Sequence, residues 1–469
     1  MEDSVTNEVL YEKPQVVLWA MSRGIEDSSI GPEEISVFSA MADFASETSK
    51  ELYEKHRKTK TKEEFEKLEE RILAESSGRG HGSVDDQNQF HFVIKNLTRV
   101  ATLMLCGPEY LQHEQQSFRR VKPGNLFHVP ETLQDQKEVA EIGIEAFVLY
   151  SKMVQGGIPE EDSRNVIPLF AKTNITTSGN SRELKHFLQL ASMDWMPSVI
   201  RDDVAAPIYT ELMKVAPKLF TKRSANYEVL GWWPSPVLFA PSNIIIKQII
   251  DRADSPKKPV FISNNPLEEI IQLALVERYE PILSMLKHSH NGSSIDGYLV
   301  PMSLSCFHQM TRQRTLNQAV ESVYDAAERA MIVIPPKIGR SNFREEYLYQ
   351  NEKMISLYHK LISIGVPRQE AIGIIPHSLA VYDLLHVNGV NAYLFIGKRA
   401  CKEAQWEIRG IANDICEDIK AKNSIYENIA AAQGTILGQC PERDMCPSFP
   451  KTKKCPVFPG TNSEIFYRL

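Results

Sequence analysis

The landmarks of this chain run through twice in the same order, and that repetition limits the folds open to it. A histidine followed by glycine and serine stands at His81 and again at His290, 209 residues on. A glutamine-rich segment ending in serine recurs at Ser117 and Ser322, 205 apart. GGIPEEDSRNVIP aligns with IGVPRQEAIGIIP, setting Pro168 against Pro376 at an offset of 208, and an Ile-Arg pair recurs at Arg201 and Arg409 with the same offset. Four landmarks at nearly one offset mark an internal duplication. The expected domains are 1–220, 221–430 and a tail, 431–469.

Within the first copy, Gln15 to Ala20 reads as a strand and Ile35 to about Glu75 as helix, with a mixed-charge run that suits a solvated face. Glycines break the pattern between Gly78 and Ser83. Phe90 to Ile94 alternates as a strand does, and Leu97 to Leu105 reads as an apolar helix. Val139 to about Gln155 is helical and ends at Gly156-Gly157. Pro159-Glu-Glu-Asp opens another helix, its acids at the positive end of the dipole. Asn180 to Leu190 is amphipathic, with Arg182 and His186 on one face. In the second copy, Val237 to Ala240 is a strand candidate, Pro266 to Lys287 reads as helix, and a closing helix spans about Arg399 to Lys420.

Of 469 residues, 42% are hydrophobic and 24% charged, ample for packed cores. The net charge of −7 argues against a bulk nucleic-acid or membrane-surface binder, whose footprint is basic. No apolar run approaches a membrane span, and the acidic start lacks the order of a signal peptide, so a cytoplasmic protein is expected. Seven cysteines fit reduced thiols better than a disulfide framework.

The densest chemistry lies in Cys306 to Ala326, CFHQMTRQRTLNQAVESVYDA. Gln309 and Arg312 are three apart and share a face if helical. Arg312 and Arg314 cannot share one, yet both reach a ligand where a helix unwinds. Guanidinium forks hold phosphate or carboxylate in fixed geometry. For an isolated RxR, a solvated helix face is the ordinary reading. No GxGxxG or GxxxxGK[ST] loop is present, so no conventional dinucleotide or triphosphate fold competes.

Together these segments resemble the flavin-dependent thymidylate synthases. Gly80-His81-Gly82-Ser83 and Phe90-His91-Phe92 match the family's early corner and aromatic strand. Arg312-Gln313-Arg314 matches its Arg-His-Arg with one change, and Glu114-Gln-Gln-Ser-Phe-Arg119 its Ser-x-Arg segment. Asn180-Ser-Arg182 with His186 matches the Asn-x-Arg helix, and Arg399 with Ala404-Gln-Trp-Glu-Ile408 the end of the domain. Neither half is complete. Gly107-Pro108-Glu109 replaces Arg-His-Arg in the first half, where Ala191 takes the place of the late arginine. Tyr324 replaces the Ser-x-Arg arginine in the second, where Val390 and Ile372 stand for two others.

The resemblance implies an α+β fold in two homologous domains, each a twisted, largely antiparallel sheet flanked by helices. It implies methylation of dUMP to dTMP with methylenetetrahydrofolate as carbon donor, FAD as cofactor and NADPH as reductant. The losses are complementary, so one composite site is expected per pair of halves. Gln309, Arg312 and Arg399 come from the second half; Gln116, Ser117, Phe118, Arg119 and Arg164 come from the first. Arg399 and Ser117 take the catalytic positions. His81, Ser83, Arg312, Gln313, Arg314, Asn180, Arg182 and His186 fall on flavin positions. Glutamine at 313 keeps hydrogen bonding but loses ring stacking and titration. The family's tetramer implies a homodimer of this double-length chain, with no nucleic-acid polymer and no membrane partner. Two other readings remain open: a repurposed, non-catalytic nucleotide binder with a structural or regulatory role, and a different flavoenzyme or nucleotide-methylating enzyme on the same scaffold.

Cys440, Cys446 and Cys455 are spaced six and nine apart in the tail. They suit part of a zinc site with a fourth ligand elsewhere. Their spacing is not that of a CxxC knuckle, and the expectation is a proline-rich extended tail without metal.

Overall fold

The structure is a computed structural model that describes residues 13–79, 82–108, 110–121, 128–220, 238–263, 296–388, 391–422, 430–442 and 445–469. The chain divides into two compact units. The first comprises Met1–Ser117, Leu126–Pro130 and Phe170–Trp233; the second comprises Phe118–Asn125, Glu131–Leu169 and Pro234–Leu469.

The first unit is built on an antiparallel sheet of β1 (Gln15–Met21), β2 (Phe90–Thr98), β3 (Gln112–Gln115) and β4 (Lys172–Gly179), in the order β1-β2-β4-β3. Phe90, Phe92 and Ile94 alternate into the core as their spacing predicts. The opposite face leaves Val17, Trp19 and Val93 exposed. The helical stretch expected from Ile35 to Glu75 is three helices, Pro32–Ala42, Ser49–Thr59 and Lys62–Glu75. The breaks have local causes. Thr48 with Glu51, and Thr61 with Glu64, each form a reciprocal capping box that starts a new helix.

The second unit carries the same sheet again: β5 (Val260–Ser263), β6 (Asp296–Ser303), β7 (Asn317–Val320) and β9 (Ala380–Val387), in the order β5-β6-β9-β7. The registers match as well. Gln112 pairs with Ser178 and Gln115 with Ile175, while Asn317 pairs with His386 and Val320 with Asp383. Thr98 caps the helix after β2 and Ser303 the helix after β6, each accepting from the backbone N–H three residues on. The duplication in sequence is thus a duplication of fold. Leu238–Ala240 lies in a turn rather than a strand, and β5 fills the position of β1. Val237 and the helix expected at 266–287 lie outside the described residues.

Segment 131–169 belongs to the second unit and meets its own counterpart there. The helix Lys137–Gln155 packs on Arg344–Ser363, with Gln350 Nε2 donating to the Ile142 carbonyl at 3.0 Å. Pro168 bridges to Pro376; Leu169 N–H donates to Ile375 O at 3.0 Å, and His377 N–H donates to Ile167 O at 3.1 Å. These two bonds exchange under a shift of 208 residues, the signature of a local two-fold relation. The tail is folded, not extended. It forms helices Gln433–Leu437 and Phe449–Thr452, then β10 (Phe466–Arg468), which pairs with β8 (Met331–Val333). Thr461 N–H anchors it to Asp414 at 2.9 Å.

Strands β6 and β9 are buried along all eight of their residues. Asp383 sits on β9 with no exposure, and burial pushes its carboxyl up to about 8, partly opposed by the Ala319 backbone N–H. A carboxyl raised in the fold favours the folded state fully below its unfolded value near 4, and that contribution is lost as pH rises through about 8. Asp383→Asn, which does not titrate, should therefore gain melting temperature relative to the parent chain between pH 5 and 9. Parallel curves in thermal scans would contradict this.

Candidate functional site

The helix Leu304–Met310 ends just before the Arg312-Gln313-Arg314 motif. Thr311 caps it, and the Met310 carbonyl accepts from the Gln313 N–H at 2.8 Å and from Gln318 Nε2 at 3.1 Å. Arg312 therefore does not continue the helical face of Gln309. Arg312 and Arg314 are exposed in the following turns, whereas Gln313 between them is buried. With its amide oriented to satisfy both groups, Gln313 accepts through its oxygen from Arg399 Nη2 at 2.5 Å and Nε at 2.9 Å. Arg399 Nη2 also donates to the Gln309 carbonyl at 3.4 Å. A two-point hold of this kind fixes the plane of a guanidinium. Gln313 thus contacts Arg399, a role the motif comparison does not supply. A π-helical turn, Ala392–Ile396, precedes the short helix Gly397–Arg399, and such turns often re-aim a side chain at a functional site.

From the other half of the sequence, Phe118, Arg119 and Arg164 enter the same unit. Phe118 is buried, its ring 6.4 Å from that of His377. Arg119 is ion-paired through Nε to Glu161. Arg164 is 8% exposed; its Nε donates to the Glu161 carbonyl at 3.1 Å, while Nη2 has no hydrogen-bond partner. Gln309 Nε2 is likewise buried without one. Burial lowers the pKa of Arg164, and Arg119 lowers it further, against the opposing pull of Glu161 and Glu407. Burial also lowers that of Arg399, to which Arg312 and Arg119 add repulsion. The Arg119 guanidinium is thus an electrostatic neighbour of both Arg164 and Arg399, and Arg312 is a neighbour of Arg399. Such a cluster with unused donors is a place for an anion.

Several supporting residues do not stand out in the sequence. Glu161 and Asp162, which read as helix-dipole acids, hold the Trp406 end of the Trp406–Lys422 helix. Trp406 Nε1 donates to Asp162 at 2.9 Å, and its backbone N–H to Glu161 at 3.4 Å. Burial first, then Glu161, raises Asp162 to about 6. Glu407 accepts from Ser303 N–H at 2.7 Å and Oγ at 2.6 Å, and Gln405 Oε1 caps the N–H groups of Glu407 and Ile408. Cys306 is fully buried, as a packing residue is.

Gln116 and Ser117 lie in the first unit; Gln116 pairs with Asn174 through its backbone N–H at 2.9 Å. There, too, Asn180 caps the helix Ser181–Ala191, accepting from Glu183 N–H at 2.9 Å and donating to Asp86 at 3.0 Å. Arg182 Nη1 donates to the other Asp86 oxygen at 3.0 Å. A Cβ at Gly82 would come within 2.9 Å of Arg182 Nε, so the glycine leaves room for that side chain. Ser83 lies beside it on the short helix Gly82–Asp85. His186 is buried, with Nδ1 3.5 Å from Glu183. Asn180 and Arg182 are thus gathered around Asp86. His81 lies outside the described residues.

Among the described residues no helix is long and apolar enough to cross a membrane. The model of the family described as thymidylate synthase complementing protein matches residues 25–218 and 291–423. A flavin-dependent thymidylate synthase of Sulfurisphaera tokodaii is 34% identical over 178 residues, 37% of this chain and 67% of that protein. One from Saccharolobus solfataricus is 30% identical over 184 residues, covering 38% and 68%. One from Pyrococcus furiosus is 30% identical over 205 residues, covering 41% and 81%. A crystal structure of the UMP/dUMP methylase PolB from Streptomyces cacaoi aligns with a TM-score of 0.36 at 18% identity, over 45% of this chain and 94% of that one, too distant to bear on fold or function. With two matched regions spanning most of its length, this chain belongs to the family of flavin-dependent thymidylate synthases.

Proposed function

We propose that the chain methylates dUMP to dTMP at one site in the second unit, assembled from both halves of its sequence. The observation that carries this reading is that Arg119, from the first half, neighbours both Arg164 and Arg399, that Arg399 bonds Gln309, and that Arg164 Nη2 and Gln309 Nε2 are buried without partners. A deoxyuridylate phosphate is a dianion that forked donors satisfy. Arg164 is the buried donor for it, and Arg119 joins by exchanging Glu161 for the ligand. Arg399, held in plane by Gln313, is the fixed cation for a uracil carbonyl, where negative charge grows as the ring accepts a nucleophile. Gln309 supplies an amide N–H for the same ring. Phe118 packs below, against His377.

The residues present suit a flavin. In the first unit, Asn180 caps the N-terminus of the helix Ser181–Ala191, and Gly82 leaves room for the Arg182 guanidinium beside it, a setting that suits an anionic part of a flavin. In the second, Arg312 and Arg314 are exposed cations. FAD, reduced at the expense of NADPH, supplies hydride when bound, and methylenetetrahydrofolate supplies the carbon. The protein's part is to bind, orient and polarise. Two such chains form a homodimer in this reading.

The replacement of the motif histidine by Gln313, already engaged with Arg399, favours a second reading: a nucleotide-binding relative without turnover. Bound-flavin absorbance and deoxyuridylate-dependent oxidation of reduced flavin separate the two. Arg399→Ala should lower that oxidation by about 10²–10³-fold with the fold retained; unchanged turnover would refute its role. Gln313→Leu should cost about 10- to 100-fold, the worth of a hydrogen bond to a charged group, with flavin content unchanged. Lost flavin with unaltered deoxyuridylate affinity would instead place Gln313 at the cofactor.

A further inference from the structure

Four of the seven cysteines face one pocket in the second unit. Cys401, Cys440, Cys446 and Cys455 line it, and buried Phe449 forms one wall. None of the four is in a disulfide. They come from two separate stretches: Cys401 follows the Gly397–Arg399 helix, and the other three lie in the tail. The packing that brings them together is tight. A Cβ at Gly434 would come within 2.8 Å of Cys455 Sγ and 3.1 Å of Phe449 Cε2. Cys455 N–H donates to Thr435 Oγ1 at 2.8 Å, fixing the last thiol against the helix Gln433–Leu437. By contrast, Cys416 is a single buried thiol whose Sγ donates to the Ala430 carbonyl.

We infer that Cys401, Cys440, Cys446 and Cys455 ligate an iron–sulfur cluster of the four-thiolate class. A lone zinc ion would draw four sulfurs to about 2.3 Å from one point. Among the described residues, no three His, Cys, Asp or Glu side chains converge as the ligands of a single ion do. A cluster has a body of its own and keeps its thiolates apart around it. Three of the four cysteines precede proline, at Pro441, Pro447 and Pro456, as the closing cysteine of bacterial cluster-binding runs does. The centre ties the tail to the connection between Arg399 and Trp406, so it braces both residues from outside the anion site.

The full chain, purified without oxygen after expression with iron and sulfide in supply, should contain iron and acid-labile sulfide in equal amounts, about two or about four of each per chain. Cys401→Ser and Cys446→Ser should each lose most of both, while Cys106→Ser and Cys416→Ser keep them. A Mössbauer spectrum of the unsubstituted chain should report a tetrathiolate cluster, which decides the matter even if the variants fail to fold. Zinc in place of iron, no metal, or iron untouched by Cys401→Ser and Cys446→Ser would overturn the inference. Metal content is read without turnover, so failure of the thymidylate reaction leaves this result standing.

Discussion

The structure of the second unit depends on a segment of the first repeat pairing with its own copy. The reciprocal backbone bonds around Pro168 and Pro376, and the helix pair they adjoin, hold residues 131–169 against residues 344–377. Exposed ion pairs decorate that helix pair, such as Lys152–Glu346 at 2.9 Å, but each is worth little in water. The buried Gln350–Ile142 bond and the apolar seam give the contact its specificity. Because Arg164 is four residues before Pro168, the same pairing delivers it to the surroundings of Glu407 and Arg119. A duplicated chain can thereby hold two non-equivalent sets of side chains in one place.

Under the proposed function, that arrangement accounts for complementary loss. Where two identical copies would each keep Arg-His-Arg and Ser-x-Arg, this chain keeps Arg119 and Arg164 from one copy and Arg399 from the other. Ile372 stands where a second Arg164 would be and is fully buried. An arginine there would need its own counter-charge in an apolar setting, at considerable cost. Loss of one set relieves a desolvation penalty that only an occupied site repays.

Much of this is legible from sequence. Strand β2 shows in its alternation, and the duplication in four matched offsets. The breaks at Thr48 and Thr61 are legible too, as Thr-x-x-Glu boxes, but helical periodicity runs through them. The tail misleads because prolines between cysteines suit an extended chain equally well. Its folding rests on distant partners, Met331–Val333 and Asp414, that no local pattern announces. Likewise, nothing near Cys440 points to Cys401. For Gln313 the motif fixes a position but not a partner, so its bond to Arg399 emerges only in three dimensions. The acids Glu161 and Asp162 suit a helix dipole so well that their hold on Arg119 and Trp406 stays hidden in the sequence.

The central claim is that both halves of the sequence build one anion site for a uracil nucleotide. Calorimetric titration of the full chain with dUMP, and in parallel with deoxyuridine, tests it most directly. The account predicts one dUMP per chain and little binding of the nucleoside, since the buried guanidinium of Arg164 answers a phosphate. Two equivalent sites per chain, or equal affinity for deoxyuridine, would contradict it.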